Sequence, residues 1–212
     1  MSVLWVLLVL IMVSVIGAGL WRHGASGRAD QPVAGGATGA PAVAEEDLSP
    51  LPDAPAFSLL DQNNRPVTLQ TLAGRPWIAD LIFTHCAGPC PTMTRKMASL
   101  QKSLASANVR FVSFSVDPRQ DTPPVLKQYA QMFGADESRW MFLTGDESVI
   151  FSTARGMLLA AEAAKADQPI LHSTKFILVD AAGKIRKYYS SDDEAEMEAL
   201  IKDAAALASE SR

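Results

Sequence analysis

Both cysteines of this 212-residue chain fall within five positions, at Cys86 and Cys90, between an apolar run and a helical repeat. The run Trp77-Ile78-Ala79-Asp80-Leu81-Ile82-Phe83 reads as a buried strand. Beyond Pro91, Met93, Met97, Leu100 and Leu104 follow at intervals of four, three and four, which is one face of a helix. The pair therefore occupies a strand-to-helix turn, where backbone N–H groups converge. Pro91 suits the first helical position, because its missing N–H would have no partner there. Cys90 then stands at a helix N-terminus, whose partial positive charge favours a thiolate. Two thiols at this spacing can close a disulfide or clamp one soft metal ion; the bland alternative is a pair of inert core residues. The Gly88-Pro89 step between them suits neither helix nor strand, so the turn is exposed and the chemical reading is preferred.

The first fifty residues are of a different kind. Val3 to Leu20 carries no charge, and the 20 residues from Ser2 to Trp21 make about 30 Å of helix, one bilayer core. Trp5 and Trp21 stand near its ends, as interfacial aromatics do. A cleaved signal peptide is the competing reading, but no basic n-region precedes the run and only Gly17-Ala18-Gly19 offers a small-residue cleavage site. We therefore expect a membrane anchor over residues 1–22. Arg22 and Arg28 follow the span and none precedes it, a two-residue count that points the rest of the chain to the cytoplasm. Gly24 to Ala44 holds 14 Gly, Ala or Pro among 21 residues, so residues 23–50 read as a flexible linker with a reach of roughly 25 Å.

From Leu51 to Arg212 the chain is long enough for one domain with a sizeable core. This part carries 17 Lys and Arg against 19 Asp and Glu, without a basic cluster, which argues against nucleic acid as a partner. Phe57–Leu60 and Val67–Leu69 flank a turn at Asp61-Gln62-Asn63-Asn64. The Trp77–Phe83 strand, the cysteine turn and its helix follow. Val109–Val116 is β-rich, with Val109, Phe111 and Val112 as expected core, and leads through Asp117–Pro123 to a helix near Val125–Phe133. Trp140–Leu143 reads as a strand, Asp146–Leu159 as a helix, and Lys175–Val179 pairs with Lys184–Tyr189 as a hairpin. A last helix carries Met197, Leu200, Ile201, Ala204 and Ala208 on one face. This order is α/β, and with a cysteine pair after the first central strand the simplest solution is a thioredoxin-like sheet with helices on both faces.

Of the three histidines, His23 lies beside the expected anchor, His85 adjoins Cys86, and His172 precedes the Lys175–Val179 strand. In a thioredoxin-like fold the loop entering that strand passes the cysteine turn, so His172 is expected to face both sulfurs. Two thiolates and an imidazole suit copper: sulfur holds Cu(I), and nitrogen with an added oxygen ligand accommodates Cu(II). Structural zinc would want a fourth protein ligand. His85 could supply one, but the residue before Cys86 in an extended segment points away from it. Met93 reads as core rather than as an axial ligand.

These residues resemble the Sco/SenC family of copper chaperones for cytochrome c oxidase. The resemblance is carried by Phe83-Thr84-His85-Cys86 through Cys90-Pro91, by Ser115-Val116-Asp117-Pro118 with Asp121-Thr122-Pro123, and by His172-Ser173 before Phe176-Ile177-Leu178-Val179-Asp180. It implies a thioredoxin-like domain on a single-pass anchor in the cell inner membrane, facing the periplasm and opposite to the Arg22/Arg28 count. It also implies copper on Cys86, Cys90 and His172, delivered to the dinuclear centre of oxidase subunit II. Other periplasmic copper carriers or thiol reductants would be further partners, and Asp117 and Asp121 match an acidic loop read as structural or docking. Two departures, Ala87-Gly88-Pro89 between the cysteines and Leu171 before the histidine, remove acidic residues that family members often carry there. They strengthen the alternative, a thiol–disulfide oxidoreductase in which Cys86 and Cys90 are a redox-active pair reducing the copper-site cysteines of subunit II.

Overall fold

The computed structural model describes residues 51–86, 88–162 and 170–210. The expected anchor over 1–22 and linker over 23–50 lie outside them; among the described residues no helix is long and apolar enough to cross a membrane.

A short antiparallel hairpin opens the domain, β1 (Ser58–Leu60) against β2 (Pro66–Thr68). Its turn is tied by Asp61, whose Oδ1 accepts from the backbone N–H groups of Asn63 and Arg65. Gln62 is buried and lays its side-chain amide along a strand edge described below. A single turn, α1 (Leu69–Leu72), is capped reciprocally by Thr68 and Thr71.

The sheet then begins with β3 (Trp77–Ile82), every residue of which is buried. Trp77, Ala79 and Leu81 face one core and Ile78 and Ile82 the other. A strand covered on both faces reads as a continuous apolar run, which is why its alternation is invisible in the sequence. Helix α2 (Cys90–Ser103) follows, then β4 (Arg110–Ser115), α3 (Pro123–Met132), β5 (Trp140–Leu143) and α4 (Glu147–Gly156). Asp146 caps α4, its side chain accepting from the N–H groups of Ser148 and Val149. A two-residue ladder joins β6 (Ala161–Glu162) to β7 (Leu171–His172). The chain closes with β8 (Lys175–Val179), β9 (Ile185–Ser190) and α5 (Glu194–Glu210).

The five-stranded sheet runs β5-β4-β3-β8-β9, with β3, β4 and β5 parallel and β8 and β9 added antiparallel. The β8–β9 turn places Gly183 at φ +89°, where a side chain would strain the backbone, while Asp180 Oδ1 accepts from the N–H groups of Ala182 and Lys184. On one face lie α2, α3 and α5, contributing Met97, Leu100, Leu126, Ala130, Leu200 and Ala204; on the other lie α4 and the opening hairpin. Each fully buried Leu or Met on these helices contributes about 1.5–3 kcal/mol. This is the thioredoxin-like arrangement expected, with helices on both faces.

The differences are local. Helix α2 starts at Cys90 rather than Pro91, because Pro89 already has helical dihedrals at the cap. Helix α3 starts two residues before Val125, since Pro123 and Pro124 fit the first turn. Helix α4 stops at Gly156, short of Leu159, and Leu158 adopts φ +53°. Ile201 is only partly buried on α5. The β6–β7 ladder was not anticipated. It places His172 in a strand rather than a free loop.

At the sheet edge, Gln62 Nε2 donates to the Trp140 carbonyl at 3.0 Å and Gln62 Oε1 accepts from Phe142 N–H at 2.9 Å. Leu60 and Thr144 exchange a further pair of backbone bonds, at 2.8 and 2.9 Å. The opening hairpin thus clasps β5 along its outer side.

Candidate metal centre

The turn after β3 is fixed from below by one carboxylate. Asp121, fully buried, accepts from Thr84 N–H at 3.1 Å, from Thr84 Oγ1 at 2.5 Å and from Ser115 Oγ at 2.6 Å. This locks the backbone two residues before Cys86. Asp117 accepts from the Gln120 side chain and takes no part in the sulfur cluster. Asp121 is thus scaffold for the turn.

Cys86 lies half-buried at the mouth of the turn, and its sulfur accepts from Gly88 N–H at 3.4 Å. Cys90, the first residue of α2, is fully buried. One turn on, the Thr94 hydroxyl donates to the Cys90 carbonyl at 2.9 Å and meets the Tyr129 hydroxyl at 2.9 Å. The helix N-terminus favours a Cys90 thiolate, and burial works against it: burial pushes this thiol well up, and the neighbouring Cys86 adds to the effect.

Strand β7 delivers the third group. His172 Nδ1 is 2.9 Å from the Ser173 carbonyl, which can only accept, so the proton of a neutral ring sits on Nδ1. The Nε2 lone pair then faces Cys90 Sγ at 2.9 Å and accepts from the thiol. Phe83 packs edge-on against the ring, centroids 5.7 Å apart. Burial lowers the His172 pKa below its usual 6.5, which keeps the ring neutral at physiological pH. A ring oriented by a hydrogen bond at its far nitrogen is the arrangement that metal-binding histidines use.

The sulfurs of Cys86 and Cys90 and a ring nitrogen of His172 lie within 4.8 Å of one another. All three groups named from the sequence are therefore brought together. His85 is not: it is exposed, its Nδ1 3.0 Å from Thr84 Oγ1 and 4.0 Å from Asp121 Oδ1. Met93 is core. Two soft sulfurs and one unprotonated nitrogen, partly shielded from water, fit a thiophilic cation such as copper. The same two sulfurs can instead form a disulfide.

A family model described as SCO1/SenC matches residues 47–209, a span that includes every one of these groups. The chain belongs to the SCO1/SenC family. It is 36% identical over 151 residues to the SCO1 protein homolog of Bacillus subtilis, an alignment covering 69% of this chain and 78% of that one. Among solved structures it is similar to BsSco, described as a member of the Sco family of cytochrome c oxidase assembly proteins with a disulfide switch. That match has a TM-score of 0.68 and 33% identity, and covers 75% of this chain and 95% of that one. It is also similar to copper-bound ScoI of Bradyrhizobium japonicum, with a TM-score of 0.61 and 25% identity, covering 72% and 99%.

In this SCO1/SenC chain the two thiols are unequally accessible, which gives an ordered reactivity. Iodoacetamide at neutral pH should modify Cys86 first and leave Cys90 largely protected until the domain unfolds, as peptide mass spectrometry would read. Prior loss of Cys90 would contradict the burial found here.

One acid that is not among the groups named from the sequence, Asp80, is fully buried in β3. The signal was present: one acid in a seven-residue apolar run that contains no other charge.

Proposed function

We propose that this chain is a membrane-anchored copper-binding assembly factor that supplies the dinuclear copper centre of cytochrome c oxidase subunit II. The observation that carries the proposal is the convergence of two cysteine sulfurs and an unprotonated imidazole nitrogen within 4.8 Å. The copper bound by the Bradyrhizobium ScoI and the assembly role stated for BsSco support it. In this reading Cys90 and His172 hold the ion from the buried side. Cys86, at the mouth, is the ligand an incoming thiolate of the target displaces first. The protein binds and hands over; it is not an enzyme in this role. Copper would reach it from other periplasmic carriers.

Anaerobic titration of the region from Asp47 onward tests this. One Cu(I) per chain, with both sulfurs in the first shell by X-ray absorption, is the expected result. Binding without sulfur ligation would refute it.

The second reading, thiol–disulfide exchange with oxidase cysteines, is favoured by the proximity of the two sulfurs and by the half-exposed position of Cys86. Cys86 would attack the partner disulfide and Cys90 would resolve the mixed disulfide, with electrons returned by a periplasmic thiol reductant. Because copper and a disulfide use the same sulfurs, one molecule can serve both roles, but not at once.

Location is part of the proposal: the anchor at residues 1–22 in the cell inner membrane and the domain in the periplasm. A membrane-impermeant maleimide should label Cys86 in intact, reduced spheroplasts. Labelling only after lysis would place the domain in the cytoplasm, as Arg22 and Arg28 alone suggest, and would end the oxidase-delivery reading.

A further inference from the structure

Helices α2 and α3 meet through the Thr94 and Tyr129 hydroxyls, and neither helix contains an acidic residue. Between them they carry four cations, Arg95, Lys96, Lys102 and Lys127, in a chain whose net charge is −4. Lys96 is paired with Glu194 at 3.3 Å. The other three have no carboxylate partner among the described residues. Arg95 donates to Thr92 Oγ1 at 3.1 Å, Lys127 donates to Asn63 Oδ1 at 2.9 Å, and Lys102 stands exposed in the last turn of α2. A face this one-sided in charge attracts groups of the opposite sign.

The same face is concave and partly apolar. Arg95, Ala98, Ser99 and Lys102 fall on one stripe of α2, and with Met132 and Phe133 at the end of α3 they line a shallow depression of about 530 Å³. Ala98 and Ser99 are short, which opens its floor. Met132 is 77% exposed, more than any other large hydrophobic residue described. Methionine adapts to the shape of what it meets, and Met and Arg are enriched where proteins bind one another. A depression that sets an exposed Met132 beside two unpaired cations therefore matches a segment bringing both an apolar side chain and negative charge.

The spacing narrows the class. Arg95 and Lys102 lie two turns apart on α2, about 10 Å along its axis, and carboxylates two turns apart on another helix repeat that distance. We infer that the α2–α3 face is the docking surface for an acidic amphipathic helix of a partner protein. Its carboxylates meet Arg95 and Lys102, and an apolar side chain between them seats on Met132 and Phe133. Arg95 is only about 7.5 Å along the helix from Cys90, so a partner held here lies along the element that carries the buried sulfur. This goes beyond the function proposed above and holds whether the sulfurs carry copper or a disulfide.

NMR of the full chain in uncharged phosphatidylcholine nanodiscs tests it. The probe is a helical peptide with two glutamates about two turns apart and a leucine between them. Its addition should shift the signals of Arg95, Ser99, Lys102 and Phe133 and the Met132 methyl, and the affinity should fall as salt is raised. Arg95→Glu with Lys102→Glu should weaken the peptide about tenfold or more, and Met132→Ser should weaken it further. All three positions are on the surface, and Cu(I) affinity should stay native in these variants, so a defect in the metal centre is told apart from a defect in docking. No saturable shift at these residues, or equal binding by a peptide with glutamines in place of the glutamates, overturns the proposal. Shifts at the same residues on changing to phosphatidylglycerol nanodiscs, with the peptide ignored, would also overturn it and assign the face to the membrane surface. The mapping and the salt dependence are read on the native chain and need no variant to fold.

Discussion

Cys90→Ser should weaken Cu(I) binding by roughly a thousandfold or more, about 4 kcal/mol, while leaving the domain folded. The hydroxyl is near in size to the thiol and can still donate to His172 Nε2, where Cys90 Sγ now sits at 2.9 Å. What disappears is a soft ligand, because a serine oxygen is a hard and poor donor to Cu(I). Cys86→Ser should cost about as much, and His85→Ala almost nothing, since His85 points to Thr84 and Asp121 and not to the sulfurs. Competition titration with a chromogenic Cu(I) chelator reads all three variants on one scale. Each thiol gives up its proton to bind, so the native affinity should rise with pH. Burial holds the Cys90 proton tightly, which extends that rise above neutrality. If His85→Ala proves more damaging than His172→Ala, the site described here is not the one used.

The second large effect separates the two roles. His172→Ala removes the nitrogen donor but neither sulfur, so thiol–disulfide exchange with a model disulfide should proceed at near-native rates. Copper loading of subunit II should fail. In copper-limited cells carrying only this variant, oxidase activity is expected to fall to that of cells lacking the chain. Loss should be most marked for the Cu(II) form, in which imidazole matters more than it does for Cu(I). Normal oxidase in those cells would refute delivery and leave the reductase reading standing.

Much of this is legible in the amino-acid sequence. The order of elements along the chain followed from apolar runs and turn residues, because β3, β4, β5 and β8 are buried and read as apolar or β-rich runs. The three donor residues followed from one spacing and one topological argument: a loop entering β8 must pass the turn that leaves β3. Three things were hidden, each for a physical reason. The β6–β7 ladder is two residues long, too short to leave a periodic trace. The burial that works against ionisation of Cys90 was hidden because a sequence shows that a thiol begins a helix but not how deeply it lies. Asp80 looked like an interruption in an apolar run, and only the packing on both sides of β3 reveals that it is fully buried.

The clasp that Gln62 forms on β5 bears on how such molecules behave in company. An outer strand normally offers a row of unpaired backbone groups to any extended segment that drifts past, and neighbouring copies zip together along it. Here an amide side chain supplies the donor and the acceptor that one residue of a sixth strand would have supplied. The Leu60–Thr144 bridge closes the next position. Because Gln62 is a side chain and not a strand, it satisfies the edge without offering a new edge of its own. The sheet ends there, so crowding many copies side by side need not lead to fibrous association through this border.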